Sequence, residues 1–336
     1  MVNYNLNSAP AKAFKPVTDA ELMESIENVS AAAEALVDAG VAVEHVVQCM
    51  DNVQLALTAI QNGGVTKQML KTFNGCGELS ALLGQENLTP AGLESFADAQ
   101  ITKVTSVYTA GLEGKMAEYW NKFVAWLKNL WAKIVNWFKG MFTNRAKYAK
   151  VLKEGGDVTD AQFENAKNKK IRAMKLDKAN ASAVKYQALV DEIKRCAAAV
   201  KAKSTTNLAD EPKFDEKVIT EFEESVKDEY FEERTLADLY GNATAFNKLI
   251  SAYIAEAGNQ KLMVASKDID TAFKTIITDA GNAGSLEGDA AKDVKEAVNA
   301  RRATLMTLLK ACRIEARHVM KAGAIALKAK RMIQSK

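Results

Sequence analysis

The chain has 336 residues, 48% hydrophobic and 26% charged, with a formal net charge of +3 and only four prolines. That allows two or three domains with a real core, and abundant Ala, Leu, Lys and Glu favour helix throughout. The four scattered cysteines (Cys49, Cys76, Cys196, Cys312) exclude a C-x-x-C site or disulfide frame and fit free thiols in a reducing compartment.

Charge runs in blocks. Residues 1–102 hold twelve acids and four bases, and residues 103–178 sixteen bases and seven acids. Residues 207–240 return to twelve acids and four bases, and the tail 301–336 carries ten bases and one acid, Glu315. Such alternation suits segments that pair with one another or a molecule with basic sleeves, and solvated helix faces account for part of it.

Residues 1–17 are predicted to be a flexible arm, with no apolar stretch of the kind a secretory signal needs. Residues 18–88 read as an acidic helical hairpin region. Thr18 and Glu21 form a capping box, Leu22, Ile26, Val29 and Leu36 recur at helical spacing, and Asn62-Gly63-Gly64 is a stop. Residues 89–155 read as one long helix opened by Thr89-Pro90 and closed by Gly155-Gly156, with Gly111 and Gly114 as the expected hinge. Residues 156–203 are predicted as a helical pair, Thr159–Lys178 and Ser182–Lys203, followed by a linker at 204–212. Residues 213–336 form a C-terminal helical domain: an acidic helical segment Phe214–Tyr240, helices over Ala243–Ala257 and Asp268–Asp279, and a long basic last helix with Gly323 its weak point. Nothing alternates with period two for long, so no strand is expected. The fold class is all-α, an elongated multi-helix bundle.

All four tryptophans fall in Tyr119–Phe142. At 100° per residue, Trp120, Phe123, Trp126, Leu127, Leu130, Trp131, Ile134, Trp137, Phe138, Met141 and Phe142 share one half of the helix. Lys122, Lys128, Lys133 and Lys139 border it, and Arg145 and Lys147 follow. Two readings fit. The aromatic half is either a membrane or partner face with its lysine charges in headgroups, or a core face covered by neighbouring helices. A lysine every five or six residues excludes a membrane span.

A catalytic centre is hard to find. His45 and His318, the only histidines, have no metal-spaced partners, and no phosphate-loop, dinucleotide, nucleophile-elbow or H-E-x-x-H motif occurs. The acids Glu221, Glu223, Glu224, Asp228, Glu229, Glu232 and Glu233 sit at helical spacing without a glycine-bearing loop, and read as a solvated or lysine-facing side. No cofactor, metal or small-molecule substrate is implied. In the tail, Arg301, Arg302, Arg313, Arg317, Lys321, Lys328, Lys330 and Arg331 are candidate phosphate contacts without base readout.

The order of these pieces resembles the internal head (inner virion) proteins of large contractile-tailed bacteriophages. Residues 18–155 carry the likeness. An acidic region (ELMESIENVSAAAEALVDAG) comes first, then a short helical unit, then Thr89, Pro90, Glu94, Ser95 and Phe96. Gly111-Leu112-Glu113 leads into the Trp/Phe/Lys helix, which ends in Phe142, Arg145, Ala146 and Lys147. The resemblance implies a non-enzymatic protein made in the host cytoplasm, packaged in the virion interior and ejected with the genome. Packaged DNA, other virion proteins and the host membrane are its implied partners. It also implies proteolytic trimming, for which Glu287 in Ser285-Leu286-Glu287 is the candidate. The rival readings are a membrane-active helical toxin or pore former, and a structural scaffold protein with the tryptophan face buried.

Overall fold

The computed structural model describes Leu57 and residues 98–202, 212–257, 260–283 and 288–335. The flexible arm, the acidic hairpin region apart from Leu57, most of the linker at 204–212 and the processing candidate Glu287 lie outside the described residues. In chain order the elements are α1 (Asp98–Lys153), α2 (Asp160–Ala166), β1 (Lys170–Met174), α3 (Leu176–Ala202) and α4 (Glu216–Ser225). A 3-10 turn (Asp228–Tyr230) leads to β2 (Phe231–Thr235), then α5 (Leu236–Tyr240), α6 (Ala243–Ala257), α7 (Gln260–Ala283) and α8 (Gly288–Gln334). Helix dominates, and the protein is an all-α bundle as its composition predicts.

α1 runs 56 residues through both Gly111 and Gly114, so the expected hinge is absent. Each helical glycine costs about 1 kcal/mol against alanine. The apolar face that begins at the buried Met116 outweighs that penalty. The helix ends where Gly155 and Gly156 take φ of +78° and +68°, a left-handed region that glycine enters without steric cost. Its last carbonyls are satisfied from the far end of the chain: Lys330 Nζ donates to Leu152 O at 2.6 Å and to Glu154 O at 2.9 Å.

Two predicted helices are interrupted. Over 159–178, a Thr159–Gln162 capping box starts α2, but α2 lasts seven residues and the chain then extends as β1. Over 214–240, α4 gives way to the 3-10 turn and β2, and a second capping box (Thr235 with Asp238) starts α5. The strands form an antiparallel ribbon in the register Lys170↔Thr235 to Met174↔Phe231, which sets Arg172 opposite Glu233. Ile171 and Ala173 point inward while Lys170 and Arg172 face out.

α3 packs on α7, α4 and α8, while α6, α7 and α8 all pack on α1. Side chains from α1 to α8 join one buried cluster that includes Phe123, Phe163, Ile193, Phe222, Phe273 and Leu308. The cluster therefore continues across the 204–212 boundary. Leu57, 6% exposed, also belongs to it.

Candidate functional site

The aromatic half of α1 is an interior face. Trp120, Phe123, Leu127, Leu130, Ile134, Trp137, Phe138 and Met141 are buried; Trp126, Trp131 and Phe142 are half-buried against the same core. Even the indole N–H groups are used internally. Trp120 Nε1 donates to Ala280 O at 2.8 Å near the end of α7, and Trp131 Nε1 donates to Asp270 Oδ1 at 2.8 Å. Lys274 Nζ binds Asp270 Oδ2 at 2.7 Å and lies 5.6 Å from the Trp131 ring centroid. Withdrawing the eight buried side chains at about 2 kcal/mol each would cost on the order of 15 kcal/mol. A whole domain is stable by roughly 5–15 kcal/mol. The reading of these residues as an exposed membrane or partner face is thereby corrected for the folded protein: the partner is the chain's own α6, α7 and α8.

The other half of α1 faces solvent and is basic. Lys122, Lys128, Lys133, Lys139, Lys147, Lys150 and Lys153 are exposed, and with Asn121, Asn129, Asn136 and small residues they form the outer surface. At 100° per residue these lysines fall within about 160° of arc. The stripe from Lys122 to Lys153 extends roughly 45 Å at 1.5 Å per residue. At its edge Glu118 lies 2.9 Å from Lys122 Nζ. No Asp or Glu occurs from Tyr119 to Lys153.

Arg145 is the exception among the flanking bases. Its side chain is 1% exposed and ion-paired with Glu315 of α8, which also accepts from Tyr186 Oη at 3.0 Å. Burial works against the guanidinium charge, and Glu315 more than offsets it, so the Arg145 pKa is raised. Arg145 Nε has no hydrogen-bond partner among the described residues. A charge thus enclosed is held only by its counter-ion.

The tail likewise divides. Arg301 and Arg302 are buried, Arg302 Nε donating to Asn299 Oδ1 at 3.0 Å, and Lys330 is buried as the cap of α1. These three are corrected from phosphate contacts to interior groups. The helix turns them toward the bundle, where carbonyl and side-chain acceptors await them. Arg317, Lys321 and Lys328 are exposed, and Arg313 and Arg331 half-buried. The acidic segment is lysine-facing in part: Lys185 and Lys217 pair with Glu221, Lys227 with Glu224 and Arg172 with Asp228.

His318 packs between Tyr186 and Phe222, with centroids at 5.4 and 5.0 Å, and burial pushes its pKa down to about 4. Burial raises the thiols of Cys196 and Cys312, which are free; Cys196 reaches about 11. Among the described residues no three His, Cys, Asp or Glu side chains gather as a metal site, and no helix is long and apolar enough to cross a membrane.

Taken together, the fold and site define an all-α bundle protein with an aromatic interior and a basic outer helix face. Within that class, residues 19–182, a little under half of the chain, match the family model of phiKZ-like phage internal head proteins, a family of structural proteins of the phage head. The match extends the resemblance read over 18–155 through β1 and into α3. No curated protein and no solved structure matches the chain. Over residues 19–182 the chain is similar to internal head proteins of phages.

Proposed function

We propose that this chain is a structural, non-enzymatic internal head protein that lies against the packaged genome. Its DNA-facing surface is the outer face of α1, with Lys328 and the exposed end of α8 adding charge. The observation that carries this reading is the lysine stripe from Lys122 to Lys153, a stretch of the helix without a single Asp or Glu. Duplex DNA presents one negative charge per roughly 1.7 Å, so a stripe of this length can track the backbone without reading sequence. The aromatic half of the same helix supplies rigidity rather than adhesion. It holds the lysines on a fixed cylinder, so that binding immobilises few additional degrees of freedom. A chain bound in this way leaves the head with the DNA when the genome is released.

The location test is mass spectrometry of purified particles before and after genome release. The chain is expected inside full particles, protected from external protease, and depleted after release. Absence from full particles contradicts the reading. The interface test is DNA affinity against salt concentration. The protein is expected to bind unrelated duplexes alike, with a steep decrease as salt rises.

A further inference from the structure

A separate cleft of about 460 Å³ opens between the end of α4, the 3-10 turn, the start of β2 and the middle of α8. Its size falls in the roughly 300–1,000 Å³ range of small-ligand sites. One wall is basic. Arg313, Arg317 and Lys321 stand at i, i+4 and i+8 on α8, so they share one side of the helix and repel one another unless an anion intervenes. Among the described residues Arg313 and Arg317 make no ion pair, although Arg313 is half-buried. Lys321 Nζ rests 4.4 Å from the Phe231 ring centroid at the cleft's edge. His318, between these bases, is neutral at ordinary pH and adds no charge.

The opposite wall is acidic. Asp228 is neutralised by Arg172, whose Nη2 lies 2.6 Å away, but the Glu223 carboxylate has no ion-pair partner among the described residues. The lining also includes apolar Val226, Phe231 and Ile314. The cleft is therefore polarised. It offers guanidinium groups without ion-pair partners from the α8 wall, a carboxylate acceptor from the other wall and apolar side chains from both. A duplex suits it poorly, because a continuous row of phosphates would meet Glu223. A compact molecule with a phosphate at one end and N–H or O–H donors at the other matches both walls.

We propose that this cleft binds a mononucleotide. The phosphate is held by Arg313, Arg317 and Lys321, and a sugar hydroxyl or base amino group donates to Glu223. Guanidinium groups suit the phosphate end because they bind its oxygens through paired donors. The site is distinct from the α1 stripe and does not depend on DNA binding there.

Isothermal titration calorimetry of the full chain with dGMP, dTMP, inorganic phosphate and a short DNA duplex tests it. At least one nucleotide is expected to bind about tenfold or more tightly than inorganic phosphate, whose contacts are confined to the basic wall. R313Q/R317Q should abolish binding of both. E223Q should weaken the nucleotide towards the phosphate value while leaving phosphate unchanged. R317Q alone, at an exposed position, guards against misfolding of the double variant and should weaken both ligands. No nucleotide binding at millimolar concentration overturns the proposal, as does equal affinity for nucleotide and inorganic phosphate. Sensitivity to R313Q/R317Q for the duplex alone also overturns it, and assigns the row to DNA instead. Loss of duplex binding on removing the α1 lysines, with nucleotide binding retained, would separate this site from the proposed DNA face.

Discussion

α1 and α8 are both long and basic, yet they use their charges differently. In α1, the lysines that border the aromatic half face solvent, and among the described side chains the interior cation is Arg145. In α8, Arg301, Arg302 and Lys330 turn inward, and the helix also supplies Glu315, the counter-ion of Arg145. The contrast follows from position. α1 presents one face to α6, α7 and α8, whereas α8 meets α1, α2, α3, α4, α6 and α7 and has less circumference left for water. A basic helix is thus an outer surface only where its neighbours leave it one.

The largest test of that contrast is removal of the buried carboxylate. Glu315→Gln leaves Arg145 charged and enclosed, and should destabilise the protein by about 3–5 kcal/mol, read from the urea midpoint. Replacing both partners with apolar residues (Arg145→Met with Glu315→Leu) should recover most of that loss. Equal destabilisation by the single and double variants would mean that the pair is not acting as a unit.

The contrast also shows what was legible in the sequence. The aromatic half of α1 was visible because period 3.6 sorts Trp120 to Phe142 without a misplacement, but periodicity cannot say whether a face meets lipid, a partner or the chain's own helices. That was decided by Ala280 and Asp270, more than a hundred residues away. Burial of Arg145 was hidden for the same reason, since its partner is 170 residues distant. Lone Glu315 in a tail of ten bases was its one signal. The ribbon was missed because five residues give too short an alternation, and KIRAM pairs with FEERT across sixty residues. The cleft was half visible: its basic row was noted as phosphate contacts, but nothing local brings Glu223 opposite.

A pH titration probes a second interior group. Between about pH 6.5 and 4 the unfolded chain takes up a proton at His318 that the folded protein does not, so stability falls as pH falls through that window. The contribution is fully present above about pH 6.5 and reaches on the order of 3 kcal/mol. His318→Phe should remove that part of the slope in urea melts at pH 7 and pH 4.5; an unchanged slope would place the ring in water.

Gly323 offers a smaller effect at the α6–α8 contact. A Cβ there would collide with Tyr253 Oη, which donates to Val319 O at 3.1 Å. Gly323→Ala should cost about 1–3 kcal/mol by overpacking. Tyr253→Ala should cancel that increment in a double-mutant cycle, and simple additivity would show that the helices are not this close.

The least effect on stability should come from the outer face. Replacing Lys128, Lys133, Lys139 and Lys147 together with glutamine should leave stability within about 0.5 kcal/mol per site. The same change should flatten the log–log salt dependence of DNA binding by about 3–4. A large loss of stability with unchanged DNA binding would reverse the roles assigned to the two halves of α1.

The most direct measurement is protein–DNA crosslinking inside intact, full particles, read by mass spectrometry of the attached peptides. The account predicts crosslinks concentrated at Lys128, Lys133, Lys139 and Lys147, with none at the buried Arg301 or Lys330. Particles that contain the protein but show no crosslinks along the outer face of α1 would contradict it.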